Sequence, residues 1–483
     1  MTHPWRFDGF PGRVLWVDLT AGTCEARDIP HEWCIQHMGG KALATKLLVE
    51  WDTTDYEAAT ANQHPITGRM DAASHPSTPL LFMTGPYQGT KVGSSGRAVV
   101  VTRSPLTECY IDTYIGGNIG HDLRKAGWDG LFITGASESW VRLEINDASA
   151  TLHPADDLVG KTTWEVEQAL DDLGECLSIG PAGENGIRIA SPLTAGRRAA
   201  GRGGTGASFG FKRLKAFTVK ASKEAAAAMR YAEEFSMADA IKEQRKEMGK
   251  RRKYGDPFYA FGTSRGPIYA AENGRMPTAN YTSTDAQIPD LSALKVGGGA
   301  GGQTAEAVAG GASAVTVVSA MDTHELSGEH WHESLPDAKQ SGCCAPCPIA
   351  CEAADRPTVD GVKMRGRPVH VNRVDRPEYE TLAMLGANLG IGSSLDVMDG
   401  NDAANRLGID TISGGAALSF MCEAAQRGWL PEGWADHFHA RLTSGPTERA
   451  TSCRGRLAFP NCRRSPLHLL AHATPGTALC LAP

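Results

Sequence analysis

The sequence predicts an α+β fold, a β-rich N-terminal part followed by a mainly helical one. Three observations carry that prediction. Residues 12 to about 220 alternate short β-type runs with Gly and Pro punctuation. An Ala-, Glu- and Lys-rich stretch, SKEAAAAMRYAEEFSMADAIKEQRKEMGKRR, opens at Ser222 with helical composition and period. A second helical block runs from Tyr379 to Gly428 and holds LAMLGANLG and GAALSFMCEAAQRG.

The predicted strands are GRVLWVDLT, PLLFMTGPY, RAVVVTRSP, GLFITGAS and WVRLEINDA, each bounded by turn residues. A helix is predicted over Thr163–Leu173, opened by the Thr162 and Thr163 hydroxyls with Glu165 close behind. Between the helical blocks, residues 290–342 carry the Gly-rich GGGAGGQ and the Val-rich ASAVTVVSA. The chain accordingly divides into a β-rich domain, 1–220, a mainly helical domain, 221–432, and a divergent basic tail, 433–483, expected to be disordered. From Arg441 to Pro483 there is one acidic residue, Glu448, against six arginines and no lysine, with no helical or strand period. The tail reads as a disordered segment, a chain-end artefact such as a reading-frame slip, or a nucleic-acid arm, and the second is favoured.

Composition excludes several classes. The 483 residues are 41% hydrophobic and 21% charged, a globular balance. A net charge of −7 without a basic stripe ahead of the tail argues against nucleic acid or an anionic membrane as the main partner. No window reaches about eighteen consecutive apolar residues, so no membrane span is expected. The start, MTHPWRFDGF, lacks a charged n-region and an apolar h-region, so a cytoplasmic location is expected.

Twelve cysteines in a long chain without a signal do not form a disulfide framework. Most of the scattered ones read as small buried hydrophobes. Cys343, Cys344, Cys347 and Cys351 cluster within nine positions. Cys344, Cys347 and Cys351 form a C-x2-C-x3-C run with prolines between, suited to an iron–sulfur cluster, or to zinc with a fourth ligand. No second C-x2-C and no His pair follows at zinc-finger spacing, which favours a [4Fe–4S] cluster over zinc or purely structural thiols. Cys343 is the odd member, and a cubane's fourth ligand has to come from far away.

The run from Ala195 to Gly206, AGRRAAGRGGTG, sets Arg197, Arg198 and Arg202 among Gly201, Gly203 and Gly204. Glycines let the backbone approach a ligand closely, and N–H groups with guanidinium forks suit phosphate oxygens. It is neither a P-loop, lacking GK[ST], nor a dinucleotide fingerprint. A flexible turn between strands is the bland alternative. A second small-residue turn, Gly93-Ser-Ser-Gly-Arg97, ends on one arginine and is a weak signal alone. Pro377-Glu-Tyr-Glu380 begins a helix, where carboxylates favour the dipole, so capping suffices to explain Glu380. Asp410 reads first as a helix stop and the next N-cap.

In order along the chain, VLWVDLTAGT, SGRAVVVTRSPLT, IGPAGEN, RRAAGRGGTGA, CAPCPIAC, PEYETLAMLGANLGI and LGIDTISGG resemble the aldehyde ferredoxin oxidoreductase family from Gly12 to Glu432. The resemblance implies a β-rich base for a tungsten (or molybdenum) bis-pterin, one [4Fe–4S] cluster and helical domains that enclose the metal. It implies oxidation of an aldehyde to a carboxylic acid with ferredoxin as electron acceptor, and it is compatible with a homodimer. Cys344, Cys347 and Cys351 match three cluster ligands. Arg97 matches an arginine between cluster and pterin. Arg198 and Ala199 match positions at the pterin phosphates and their Mg2+, and Asp410 matches the acid that ends a pterin-binding motif. Glu380 matches a glutamate near the metal, able to orient water or accept a proton.

The pattern also departs from the family. Asn405 replaces the first acid of the pterin motif, Tyr114 stands where an asparagine can serve the Mg2+ site, and Asp399-Gly-Asn-Asp402 replaces an iron-binding E-x-x-H pair, so no interface iron is expected. The family's third domain, with a second pterin motif, the fourth cluster cysteine and a pocket histidine, is expected beyond residue 432 but largely missing. Cys480 only loosely echoes its motif. Two alternatives follow: a catalytically inactive truncated homologue, or a cluster- and pterin-binding subunit completed by another chain. A benzoyl-CoA-reductase-type subunit is the enzymatic rival.

Overall fold

The computed structural model describes residues 5–51, 72–230, 237–253, 261–278, 376–392 and 394–429, with short pieces at 280–281, 284, 325–330, 340–341, 347, 352–353, 363–364 and 367–368. Cys343, Cys344, Cys351, Cys480, the Gly- and Val-rich runs and the basic tail lie outside the described residues.

Strands β1 (Arg13–Asp18), β2 (Thr23–Asp28), β3 (Leu80–Met83), β4 (Ala98–Arg103), β5 (Tyr110–Ile115) and β6 (Gly130–Thr134) form a first sheet, in the order β2-β1-β6-β3-β4-β5. β1 and β6 are parallel and the other neighbours antiparallel. A second sheet, in the order β11-β10-β9-β12-β7-β8, is built from β7 (Val141–Asn146), β8 (Ser149–Pro154), β9 (Glu175–Ser178), β10 (Leu193–Thr194), β11 (Arg198–Ala199) and β12 (Leu214–Lys220).

The period-2 alternation of the strands explains how the sheets stack. In β1, Leu15 and Val17 face the second sheet, where they join Phe82, Val100, Leu143 and Phe217 in one buried core. The Phe82 and Phe217 rings meet edge to face at 5.1 Å across that interface. Val14 points the other way, toward helices α1 (His31–His37) and α2 (Gly40–Glu50), and packs with Leu81, Val99 and Leu43. On that same face the Trp16 and Phe132 rings stack at 3.8 Å. Helix α3 (Ile119–Lys125) contributes Ile119 and Leu123 to the core between the sheets.

Helix α4 (Thr163–Ala169) starts where the threonines predict and ends sooner than predicted, giving way to a 3-10 turn at Asp171–Leu173. Its start is a full capping box: Thr162 Oγ1 accepts from Glu165 N at 3.3 Å, and Glu165 Oε2 accepts from Thr162 N at 2.8 Å. Thr162→Ala should cost about 1 kcal/mol of stability in denaturant unfolding.

After β9 come the single turn α5 (Pro181–Glu184) and α6 (Thr205–Phe211), and after β12 the helices α7 (Met237–Lys253), α8 (Gly266–Glu272), α9 (Ser394–Leu407) and α10 (Thr411–Gln426). A one-turn helix, Tyr379–Thr381, runs into a buried π-turn, Leu382–Gly386. The helical elements share a second core with the α5 region: Ala182, Ile187 and Ala190 pack with Leu382, Leu385, Val397 and Leu407. Gly415 of α10 permits this, because a Cβ there would lie 2.5 Å from Met384 O.

Lys212, just before β12, is fully buried, and its Nζ donates to Pro76 O at 2.8 Å and Gly135 O at 3.0 Å. Burial pushes its pKa down to about 7, with Asp18 opposing weakly. An uncharged amine still has one hydrogen for each carbonyl. The unfolded chain binds the proton up to roughly pH 10.4 and the folded chain only up to about 7. Stability therefore rises with pH across that window. We expect a gain of about 2 kcal/mol between pH 7 and pH 9 in urea titrations, absent in Lys212→Met. The pH slope is the readout, since the variant also leaves two carbonyls without their donor.

Candidate functional site

The Gly-rich run lies where the second sheet meets the helices. β10 and β11 pair antiparallel, and the chain then crosses Gly201–Gly204 into α6. Gly203 and Gly204 take left-handed φ angles of 77° and 74°. A Cβ at Gly204 would sit 2.0 Å from Arg188 O, and one at Gly203 would sit 2.6 Å from Ile111 Cγ1. Ser104 Oγ donates to Gly203 O at 2.8 Å, and Arg202 N donates to Thr113 Oγ1 at 3.2 Å, so β5 supports the loop from below. The β5 side chains at the loop are thus Ile111 and Thr113. Tyr114, next to Thr113, stays 40% exposed, on hydrogen bonds with Asp112 and Lys41.

Asp410 does cap the next helix. Ile412 N and Ser413 N donate to its carboxylate at 3.1 and 3.0 Å, and Ser413 Oγ at 2.5 Å. It also reaches the Gly-rich loop: Arg202 Nη1 donates to Asp410 Oδ2 at 3.2 Å, and a Cβ at Gly201 would lie 3.3 Å from Asp410 Oδ1. Burial raises the Asp410 pKa, while the Ser413 hydrogen bonds and the Arg202 charge oppose the rise. Backbone pairing holds this segment in place, with Ser191 N donating to Gly408 O at 2.8 Å and Asp410 N to Ile189 O at 3.0 Å. Gly180 of the IGPAGEN motif makes room, since a Cβ there would meet Leu407 O at 2.5 Å.

A second bridge runs from loop to helices. Arg198 is nine-tenths buried, and its Nη1 donates to Glu378 Oε1 at 2.9 Å. Glu378, two residues before Glu380, is the acid of the PEYE segment that touches the loop. Its signal in the sequence is simply membership of that segment. Glu380 itself is exposed, next to Tyr379, whose pKa is raised by burial and then by the Glu380 charge. Ala199 is half-buried beside Arg198.

The cysteine run is represented by Cys347, half-buried, with its Sγ 3.5 Å from Ser94 Oγ. That contact sets it on the Gly93–Arg97 turn. Gln244 of α7 grips the same turn, its Oε1 accepting from Gly93 N at 2.7 Å and its Nε2 donating to Gly93 O at 3.2 Å. Arg97 is exposed at the end of the turn, leading into β4. Among the scattered thiols Cys34 and Cys176 are buried, and burial raises both pKa values, that of Cys34 to about 12.

The Arg202 guanidinium, the buried Asp410 carboxylate and a glycine backbone that tolerates no Cβ meet at one junction, with Arg198 paired to Glu378 from the adjoining β11. That donor set suits a phosphate-bearing cofactor with polar ring edges.

Comparison with known proteins gives the same direction. Residues 14–221 match the N-terminal domain of aldehyde ferredoxin oxidoreductase, and residues 239–452 match its domains 2 and 3. The chain is 29% identical over 433 residues to the tungsten-containing aldehyde ferredoxin oxidoreductase of Pyrococcus abyssi, covering 88% of this chain and 60% of that one. The Pyrococcus horikoshii protein of the same name shows the same identity and coverage. The WOR-like subunit of an aliphatic sulfonate oxidoreductase from Pyrococcus furiosus is 23% identical over 440 residues, 87% of this chain and 60% of its own length. The chain thus spans about 60% of the length of these curated relatives. In fold it is similar to the active site complex BamBC of benzoyl coenzyme A reductase with bound 1,5-dienoyl-CoA. The TM-score is 0.64 at 21% sequence identity, over 89% of this chain and 59% of that one. With both family matches together covering most of its length, the chain belongs to the aldehyde ferredoxin oxidoreductase family.

Proposed function

We propose that the chain holds a tungsten (or molybdenum) bis-pterin and a [4Fe–4S] cluster and serves in oxidising an aldehyde to a carboxylic acid, with ferredoxin as electron acceptor. The observation that carries this reading is the meeting of Arg202 and Asp410 at the Gly201–Gly204 backbone, with Arg198 on the strand that leads into it. Bound there, the cofactor supplies the two-electron oxidation, with water giving the oxygen.

The chain's own residues do the rest. Arg198 and Arg202 neutralise pterin phosphate, with Ala199 beside them at the Mg2+ position. The glycine backbone lets the phosphates come within hydrogen-bonding distance. Asp410 would hold the pterin as an acceptor for its ring N–H groups. Cys344, Cys347 and Cys351 would hold the cluster, with Cys347 against the Gly93–Arg97 turn and Arg97 serving between cluster and pterin. Glu380 accepts the proton released as water attacks the aldehyde carbon. A cytoplasmic setting agrees with the oxygen sensitivity of such centres, and no helix among the described residues is long and apolar enough to cross a membrane.

The test is an assay of protein purified without oxygen from cells given tungstate or molybdate. Aldehyde-dependent reduction of ferredoxin or a viologen dye is expected. Turnover of dienoyl-CoA without turnover of aldehydes would replace this reading with the aromatic acyl-CoA one, and activity with neither would leave the chain a cofactor-holding subunit at most.

A further inference from the structure

We infer that Glu378 is a stand-in for phosphate: it occupies Arg198 before the cofactor arrives and must be exchanged for a phosphate oxygen during loading. The inference rests on the reading of the Gly-rich loop as a phosphate cradle. Two of the three arginines of the run pair with a carboxylate from the helical part, Arg198 with Glu378 at 2.9 Å and Arg202 with Asp410 at 3.2 Å. Each of these guanidinium charges is thus already answered by a carboxylate. A phosphate ester brings further negative charge, which the desolvated Arg198 attracts strongly only when Glu378 has let go.

The two carboxylates are not equivalent. Asp410 is 5% exposed and committed to Ile412 N, Ser413 N and Ser413 Oγ as the cap of α10, so it stays. Glu378 is 34% exposed on a longer side chain, and that side chain does not cap the helix that follows it. Arg198, by contrast, is only 10% exposed and fixed on β11. When a phosphate takes Arg198, Glu378 is the partner free to swing into solvent. Because Glu378 opens the segment leading into the π-turn, the exchange also releases one tie between the helices and the second sheet.

The experiment uses the full chain from cells deprived of tungstate and molybdate, with inorganic pyrophosphate as the probe in isothermal titration calorimetry. Glu378→Gln should bind pyrophosphate about tenfold more tightly than the unmodified chain. Arg198→Gln should lose most of the binding in either background. Glu378→Asp, which keeps the charge but falls short of Arg198, should also bind more tightly and covers the case in which the glutamine variant does not fold; circular dichroism checks each protein. Unchanged or weaker binding by the folded Glu378 variants, with loss in Arg198→Gln, overturns the exchange and leaves the cradle standing. Pyrophosphate binding that ignores Arg198, or no binding in any of the proteins, overturns the cradle reading and the exchange with it.

Discussion

Asp129→Ala should lower the unfolding free energy by about 3–5 kcal/mol, the largest single loss expected outside the site. Arg124 and Asp129 are both fully buried and share a 2.7 Å ion pair. Each also makes further hydrogen bonds. Asp129 Oδ2 accepts from Gly12 N at 2.7 Å and Arg13 N at 3.2 Å, while Arg124 Nη2 donates to Gly9 O at 2.5 Å and Nη1 to Thr84 Oγ1 at 3.3 Å. The Trp5 and Phe10 rings lie 5.2 and 5.5 Å from the guanidinium carbon. Burial raises the Asp129 pKa, and the Arg124 charge, then the Gly12 and Arg13 amides, oppose it. Removing the carboxylate strands a guanidinium in a dry interior and frees two amides at the chain's entry into β1. Removing both partners, as in Arg124→Met with Asp129→Leu, should recover much of the loss, because an unpaired buried charge costs more than an apolar replacement. A denaturant midpoint for Asp129→Ala equal to that of the unmodified protein would contradict the pair's role.

Gly204→Ala should strip the protein of pterin and metal. A methyl group there meets the Arg188 backbone carbonyl at 2.0 Å, with no flexible side chain to give way. The left-handed φ of 74° adds its own penalty of about 1–2 kcal/mol. Gly160→Ala separates the two effects, because Gly160 has a φ of 77° and no heavy atom within 4 Å of its would-be Cβ. The Gly160 variant should lose only the backbone term and keep its cofactor, whereas the Gly204 variant cannot hold Gly203, Arg202 and the start of α6 where they are. Pterin fluorescence after acid extraction reads this directly. Full pterin content in folded Gly204→Ala would refute the assignment of the loop.

The five predicted strands all appear, because each is a buried apolar or alternating run closed by turn residues. β2 was not legible: TCEARD is polar and mostly exposed, and it is a strand because it borders β1 in the first sheet. β10 and β11 are two residues each, too short for any period, and tertiary pairing defines them. In the site, the Gly-rich loop and Asp410 were legible, since left-handed glycines and an N-cap acid leave local signatures. The partnership of Arg198 with Glu378 was not, because it spans 180 positions and two neighbouring glutamates look alike in sequence. The support from Thr113 was hidden likewise, as the face a strand residue presents depends on register.

Metal analysis by plasma mass spectrometry, on protein purified without oxygen, tests the proposed cofactor set most directly. Near one tungsten or molybdenum and about four irons per chain are expected. Folded protein with neither tungsten nor molybdenum nor iron, from cells well supplied with all three, would contradict it.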